Sequence, residues 1–174
     1  MNTIEAINSR RSCKNFDPNK PVPEDIIKQI CDAGTKAASG MNKQAARIIV
    51  INNKEVRDMI AEKNAAIFGK SGHDPFYGAP TIMCVVANKD VYTYVYDGSL
   101  VLGNMMLAAE ELGIGACWIH RAREFFDMPE GKEVLKMAGL EGDYEGVGNL
   151  AIGYAAGDKR PDPDINPDYI KYIN

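Results

Sequence analysis

Arg10-Arg11-Ser12-Cys13-Lys14-Asn15-Phe16 is the stretch on which the reading of this chain turns. Three cations and a hydroxyl within five residues can neutralise a phosphate dianion, and arginine adds bidentate geometry. Taken alone, a solvated charge run is the plainer reading. Just upstream, Thr3 is expected to cap a short helix carrying Ile4 and Ile7.

Working outward, Pro23 suits the first position of a helix, with Glu24 and Asp25 in its first turn. Ile26, Ile27, Ile30 and Ala33 share one face of it, and Gly34 marks its end. Ile48 to Ile51 reads as a buried strand. Val56, Met59, Ile60 and Ile67 keep helical spacing across residues 54–68. Gly69 to Pro80 is loop-like, and Thr81 to Ala87 is a second buried strand. Val95, Leu102, Met105, Ala109 and Leu112 define the longest helix, whose small residues suggest close helix–helix contact, with a subunit interface as one setting. Its two methionines read as core. Ala116 to Ile119 is a third strand, Pro129 to Gly139 a helix, and Val147 to Tyr154 a fourth strand. The tail holds Pro161, Pro163 and Pro167, then Tyr169, Ile170, Tyr172 and Ile173. Free tails are usually polar, so this apolar tip suggests docking.

Three further stretches carry chemistry. Ser39-Gly40-Met41-Asn42-Lys43-Gln44 offers close backbone approach at Gly40 and donors and acceptors suited to a heterocycle edge. It reads equally as a capping loop. Glu111-Leu112-Gly113-Ile114-Gly115-Ala116-Cys117-Trp118 runs from helix to strand, so its Gly-x-Gly is a tight turn and not a dinucleotide fingerprint. Gly153 to Pro161 ends a strand in Lys159-Arg160, which alone is a basic surface turn.

Composition narrows the classes. The chain has 174 residues, 45% hydrophobic and 25% charged, enough for one domain with a sizeable core. Its net charge of −4 supplies no global field for nucleic acid. No apolar run reaches the ~18 residues of a bilayer span, and no secretory signal opens the chain. Cys13, Cys31, Cys84 and Cys117 show no metal spacing with His73 or His120, and read as reduced thiols of a cytoplasmic protein. No nucleoside triphosphate loop and no Gly-x-Ser-x-Gly elbow occur. Cys117 and His120 fall on opposite faces of a strand, which disfavours a nucleophile pair.

Together, and in this order, these elements resemble the nitroreductase family. Arg10 to Phe16 matches its Arg-Arg-Ser-x-Arg/Lys-x-Phe/Tyr pattern. Ala37 to Gln44 resembles Ala-Pro-Ser-Gly-Met-Asn-x-Gln, and Leu107 to Trp118 resembles Leu-x-Ala-x-x-x-Gly-Leu-Gly-x-x-Trp. Ile152-Gly153-Tyr154 with Lys159-Arg160 resembles the closing segment. The resemblance implies an α+β fold: a central, mostly antiparallel sheet flanked by helices, in an intertwined homodimer. It implies one domain over residues 1–174, whose C-terminal arm, about 158–174, packs on the partner subunit.

It further implies FMN at the dimer interface. Arg10, Arg11, Ser12 and Lys14 would reach its pyrimidine edge, ribityl chain and phosphate. Ser39, Gly40 and Met41 would come from the other subunit, with Asn42 and Gln44 near the ring. Ile119, His120 and Arg121 would bring backbone amides to the reactive nitrogen, and Lys159 or Arg160 would hold the phosphate. The activity implied is hydride transfer from NAD(P)H via FMN to a nitroaromatic, quinone or similar acceptor by ping-pong turnover. No side-chain acid or base is required, so no catalytic residue is assigned. A flavin-binding carrier or sensor without turnover is the alternative. Three departures stand out: Ala38 replaces a proline, Ala45-Ala46 replaces Pro-Trp, and Lys159 and Arg160 are adjacent.

Overall fold

The computed structural model describes residues 2–173; Met1 and Asn174, the ends of the expected domain and arm, lie outside the described residues. Helix α1 (Thr3–Ser9) is capped by Asn2 and not by Thr3. The Asn2 side chain accepts from the Glu5 amide at 3.0 Å, and the Asn2 amide donates to the Glu5 carboxylate at 2.9 Å. An asparagine can satisfy that orphan amide as well as a threonine can, and Glu5 sits at the right offset to return the bond.

Helix α2 (Glu24–Thr35), strand β1 (Ala46–Ile51), helix α3 (Lys54–Ile67), strand β2 (Thr81–Asn88), helix α4 (Tyr94–Glu111), strand β3 (Gly115–Ile119), helices α5 (Ala122–Asp127) and α6 (Pro129–Met137) and strand β4 (Tyr144–Gly153) follow. The four strands form one antiparallel sheet in the order β1-β2-β4-β3. Helices cover both faces. On one face Ile82, Cys84, Val86 and Ala151 pack with Phe76, Phe125 and Phe126. On the other, Met83, Val85, Leu150 and Ile152 pack with Ile30, Leu102 and Met105. This two-sided burial is why β2 reads as an unbroken apolar run. The α+β architecture with an antiparallel sheet is as the family resemblance implies.

Several local expectations change. Strand β1 is an edge strand, with Val50 37% exposed, so its β-branched run is only partly buried. Helix α3 buries Arg57, Ile60, Ala61 and Asn64 ahead of Val56, Met59 and Ile67. Arg57 is tolerated there because its guanidinium donates to the Ala79 carbonyl at 3.0 Å and pairs with Asp74 at 2.5 Å. Helix α5 has no sequence counterpart in the reading above, because its Phe125-Phe126 pair is too short for a period to emerge. In α4, Gly98 lies against Val147: a Cβ there would stand 2.7 Å from the valine Cγ2. That glycine therefore serves packing on the sheet within one chain. Asn104 ties α4 to α2 by donating to the Ala33 carbonyl at 3.1 Å. Beyond β4 the described residues run without a further helix or strand through Ile173, and Tyr169, Ile170, Tyr172 and Ile173 are exposed. No helix among the described residues is long and apolar enough to cross a membrane.

Candidate functional site

Helix α1 stops at Arg10, whose backbone is extended. The next residues run beside the open edge of β3. Ser12 bridges Ala116 in parallel, and the Cys13 amide donates to the Ala116 carbonyl at 2.9 Å. Phe16 then bridges Ala155 and is buried. The basic run is thus clamped between β3 and the segment that leaves β4. This is no free charge run: the clamp presents its side chains to two adjoining cavities.

The first cavity, about 410 Å³, is lined by four cations, Arg11, Lys14, Lys159 and Arg160, against the carboxylates of Glu110 and Asp158. Its field is therefore positive although the whole chain is negative. Glu110, at the end of α4, accepts from the Ser9 hydroxyl at 2.7 Å and is bonded by the Lys159 ammonium. Burial pushes the Glu110 carboxyl up, but the hydrogen bonds from Lys159 and Ser9 and the charges of Lys159 and Arg10 outweigh it. The net position is below the usual carboxylate range. Arg11 donates to the Asn8 and Arg10 carbonyls, each at 2.8 Å, and pairs with Asp162 of the arm. Its Nε is buried without a partner among the described residues. Arg10 and Arg160 border a neighbouring cleft of about 540 Å³.

The second cavity, about 300 Å³, shares Ser12 and Lys14 with the first. Its far wall is the turn from β3 into α5, Ile119-His120-Arg121. Arg121 is left-handed there, with φ of 74°. Buried Asn64 of α3 holds this strained turn from both sides. Its Nδ2 donates to the His120 carbonyl at 3.0 Å, and its Oδ1 accepts from Arg121 Nε at 3.0 Å. The Arg121 guanidinium lies 4.4 Å from the Phe68 ring centroid, and Lys14 lies 5.7 Å from that of Tyr77. Burial pushes the Cys117 thiol up, against the pull of Lys14, Ser12 and Arg160.

Asn64, Phe68, His73 and Tyr77 line or support this site and were missed in the sequence. Asn64 left a usable trace, since it is a polar residue on the buried face of a helix. Tyr77 and His73 left none, because the Gly69–Pro80 loop has no period. Their rings meet edge-on at 6.1 Å.

The Ser39–Gln44 loop stands apart. It lines neither cavity and instead borders a third, of about 390 Å³, beside Arg47 and Asp97. Met41, Asn42 and Gln44 are left-handed, with φ of 49°, 55° and 49°. Met41 is 88% exposed. The Gln44 amide donates to Ser39 Oγ at 3.2 Å, and Gln44 Nε2 to Asn42 Oδ1 at 2.8 Å. A single copy therefore gathers Arg10 to Lys14, Ile119 to Arg121 and Lys159-Arg160, and leaves Ser39 to Gln44 elsewhere.

Among the described residues no group of three or more His, Cys, Asp or Glu side chains is arranged to hold a metal ion. A Methanothermobacter thermautotrophicus protein, provisionally assigned as an NADH dehydrogenase/NAD(P)H nitroreductase, is 29% identical over 143 residues, 75% of this chain and 71% of its own. The crystal structure of a Bacteroides fragilis nitroreductase with bound FMN superposes with a TM-score of 0.89 at 27% identity, covering 100% of both chains. A Desulfitobacterium hafniense nitroreductase with bound FMN gives 0.87 at 26%, again over 100% of both. The sequence model of the Nitroreductase family matches residues 7–154, from within α1 to just past β4. On that match and the clamped Arg10–Phe16 motif, the chain belongs to the nitroreductase family.

Proposed function

We propose that the protein is an FMN-dependent oxidoreductase that takes electrons from NAD(P)H and delivers them to a nitroaromatic, quinone or similar small acceptor by ping-pong turnover. The observation that carries this reading is the meeting of two cavities at Ser12 and Lys14: one cationic, the other walled by a strained turn and aromatic rings. FMN fits the first test a ligand must pass. A phosphate needs several cations and spare donors, and the cavity offers Arg11, Lys14, Lys159 and Arg160 with an orphaned buried Arg11 Nε. FMN in two solved relatives supports the same group here.

When bound, FMN supplies two-electron chemistry that the protein's own side chains lack. The chain's contribution is to bind, orient and polarise. Lys159 or Arg160 would hold the phosphate, with Arg10 and Arg11 beside them. Lys14 and Ser12 sit where the two cavities join and would meet the ribityl chain and pyrimidine edge. The Ile119–Arg121 backbone would face the reactive edge of the ring, held by Asn64.

The reading includes a homodimer. In one copy the Ser39–Gln44 loop lines neither cavity, so a second copy would bring its Ser39, Gly40 and Met41 to the site, with Asn42 and Gln44 near the ring. Exposed Tyr92, Tyr96 and Leu100 near the start of α4, and the apolar tip of the arm, support such burial. The cytoplasm is the compartment this reading takes, because all four cysteines are free and reduced thiols persist there.

The test is spectroscopic. The purified protein should be yellow, or become so with added FMN, and anaerobic NADH or NADPH should bleach it. A colourless protein that cannot be reconstituted sinks the reading. A yellow protein that neither nicotinamide bleaches would instead identify a flavin carrier or sensor.

A further inference from the structure

The structure assigns Asp97 as the positioning residue for the Ser39–Gln44 loop, and so as a determinant of cofactor retention; the second half of that statement rests on the flavin reading above. Asp97 lies in the first turn of α4 and is only 3% exposed. Its Oδ1 accepts from the Gly40 amide at 3.0 Å, a bond that spans 57 residues. Its Oδ2 accepts from the Thr93 hydroxyl at 3.1 Å. Among the described residues it makes no ion pair. A buried carboxylate without a cation is costly unless its hydrogen bonds are made. The helix start favours negative charge, yet a surface acid would satisfy that at no burial cost. What the buried one adds is a long-range tether.

The tether anchors a strained segment to the body of the fold. Met41, Asn42 and Gln44 all adopt φ near +50°, which side-chain-bearing residues seldom do. Within the loop Gln44 bonds Ser39 and Asn42, and the Asn42 and Lys43 amides donate to the Ser39 and Gly40 carbonyls; the Asp97 bond ties this unit to α4. Gly40 is the point of attachment, and its fit on Thr93 is tight: a Cβ would lie 2.3 Å from Thr93 Oγ1 and 3.1 Å from Thr93 Cβ. Glycine at 40, threonine at 93 and aspartate at 97 therefore form one clasp. Its effect is to turn Met41 outward, 88% exposed, on a fixed base. An apolar side chain displayed on a strained, anchored loop is placed for contact with something outside its own chain.

Asp97→Ala, Asp97→Asn and Thr93→Val test this in the full-length protein. Asparagine can keep the Gly40 bond through Oδ1 and bond Thr93 through Nδ2, so it should rescue. Two quantities are read: hydrogen exchange of the Gly40 amide and its loop neighbours, and the FMN dissociation constant from flavin fluorescence. Asp97→Ala should speed exchange in the loop while leaving β2 and β4 protected, and should weaken FMN about tenfold. Asp97→Asn should stay near wild type in both. If Asp97→Ala does not fold, Thr93→Val carries the same test, because it removes one of the two bonds to the carboxylate. Loop exchange unchanged in Asp97→Ala, or in Thr93→Val where Asp97→Ala does not fold, overturns the assignment. Faster exchange with FMN affinity unchanged overturns the link to the cofactor. A wild-type protein that binds no FMN would defeat the flavin reading, while the exchange measurement would still decide for Asp97 as a tether.

Discussion

The carboxylate of Glu110 holds the ammonium of Lys159 at the rim of the cationic cavity, on the same oxygen that accepts from Ser9. A cation expected to meet a phosphate thus already has an internal anion. Glu110→Gln should free Lys159 and tighten binding of inorganic phosphate and of FMN a few-fold, read by titration calorimetry. Weaker binding would mean that Glu110 orients Lys159 instead of competing for it. The same pair predicts a pH effect. The Glu110 carboxyl stands below its ordinary value of 4.5 when folded. Its stabilisation is then complete above 4.5 and is lost as pH falls through the lower folded value. The Tm gap between wild type and Glu110→Gln should be constant near neutrality and narrow in acid. An equal gap at pH 7 and pH 3 would contradict this.

Lys14 borders both cavities, and Arg10 borders the adjoining cleft. Alanine at either position should loosen FMN by about tenfold, the scale of a charge-assisted hydrogen bond. Retention measured by dialysis and absorbance should fall in both variants. If neither changes, the cationic wall is not the cofactor's.

Asn64 is the pin of the β3–α5 turn. Asn64→Leu keeps the bulk but strands the His120 carbonyl and Arg121 Nε. Unfolding in urea should show a loss of about 1–3 kcal/mol. A midpoint equal to wild type would show that the turn holds its left-handed residue unaided.

Gly40→Ala should displace the loop, because the new methyl overlaps Thr93. Adding Thr93→Ala should recover part of the loss, and a double-mutant cycle measures the coupling. Additive effects in that cycle would place the damage elsewhere.

Asn149 is fully buried in β4, between Cys84 and Ile119 across the sheet, and neither Nδ2 nor Oδ1 has a partner among the described residues. Asn149→Leu should therefore raise stability by about 1–3 kcal/mol in thermal or denaturant unfolding. Destabilisation would mean that the amide is satisfied in solution.

How far could all this be read from residues alone? The sheet was legible because β2 and β4 are covered on both faces, so their apolar runs admit little else. Strand β1 was read as buried from the same signal, although an edge position leaves Val50 out. Polar residues inside α3 defeated the periodicity argument: Arg57 and Asn64 count as surface residues until their partners, Ala79, Asp74 and His120, are known. Those partners are 17 to 56 positions away, and no local rule reaches them. At the site, the cations were visible by composition, while the carboxylates that neutralise them, Glu110 and Asp162, were not. The Ser39 loop was recognised by its residues, yet its distance from the rest could only come from the fold.

Lys159 and Arg160 share one unstructured segment with Ile165, Tyr169, Ile170 and Ile173. Glu110 and Arg11 tie the start of that segment to the cavity through Lys159 and Asp162, while its apolar end stays exposed. In the homodimer proposed above, association through that end and ligand binding at its start would share a coupling free energy. Linkage requires that each raise the other's affinity by the same factor. A chain in dilute solution would be a weaker host than the same chain at high concentration, and losing its ligand would loosen its assembly to the same degree.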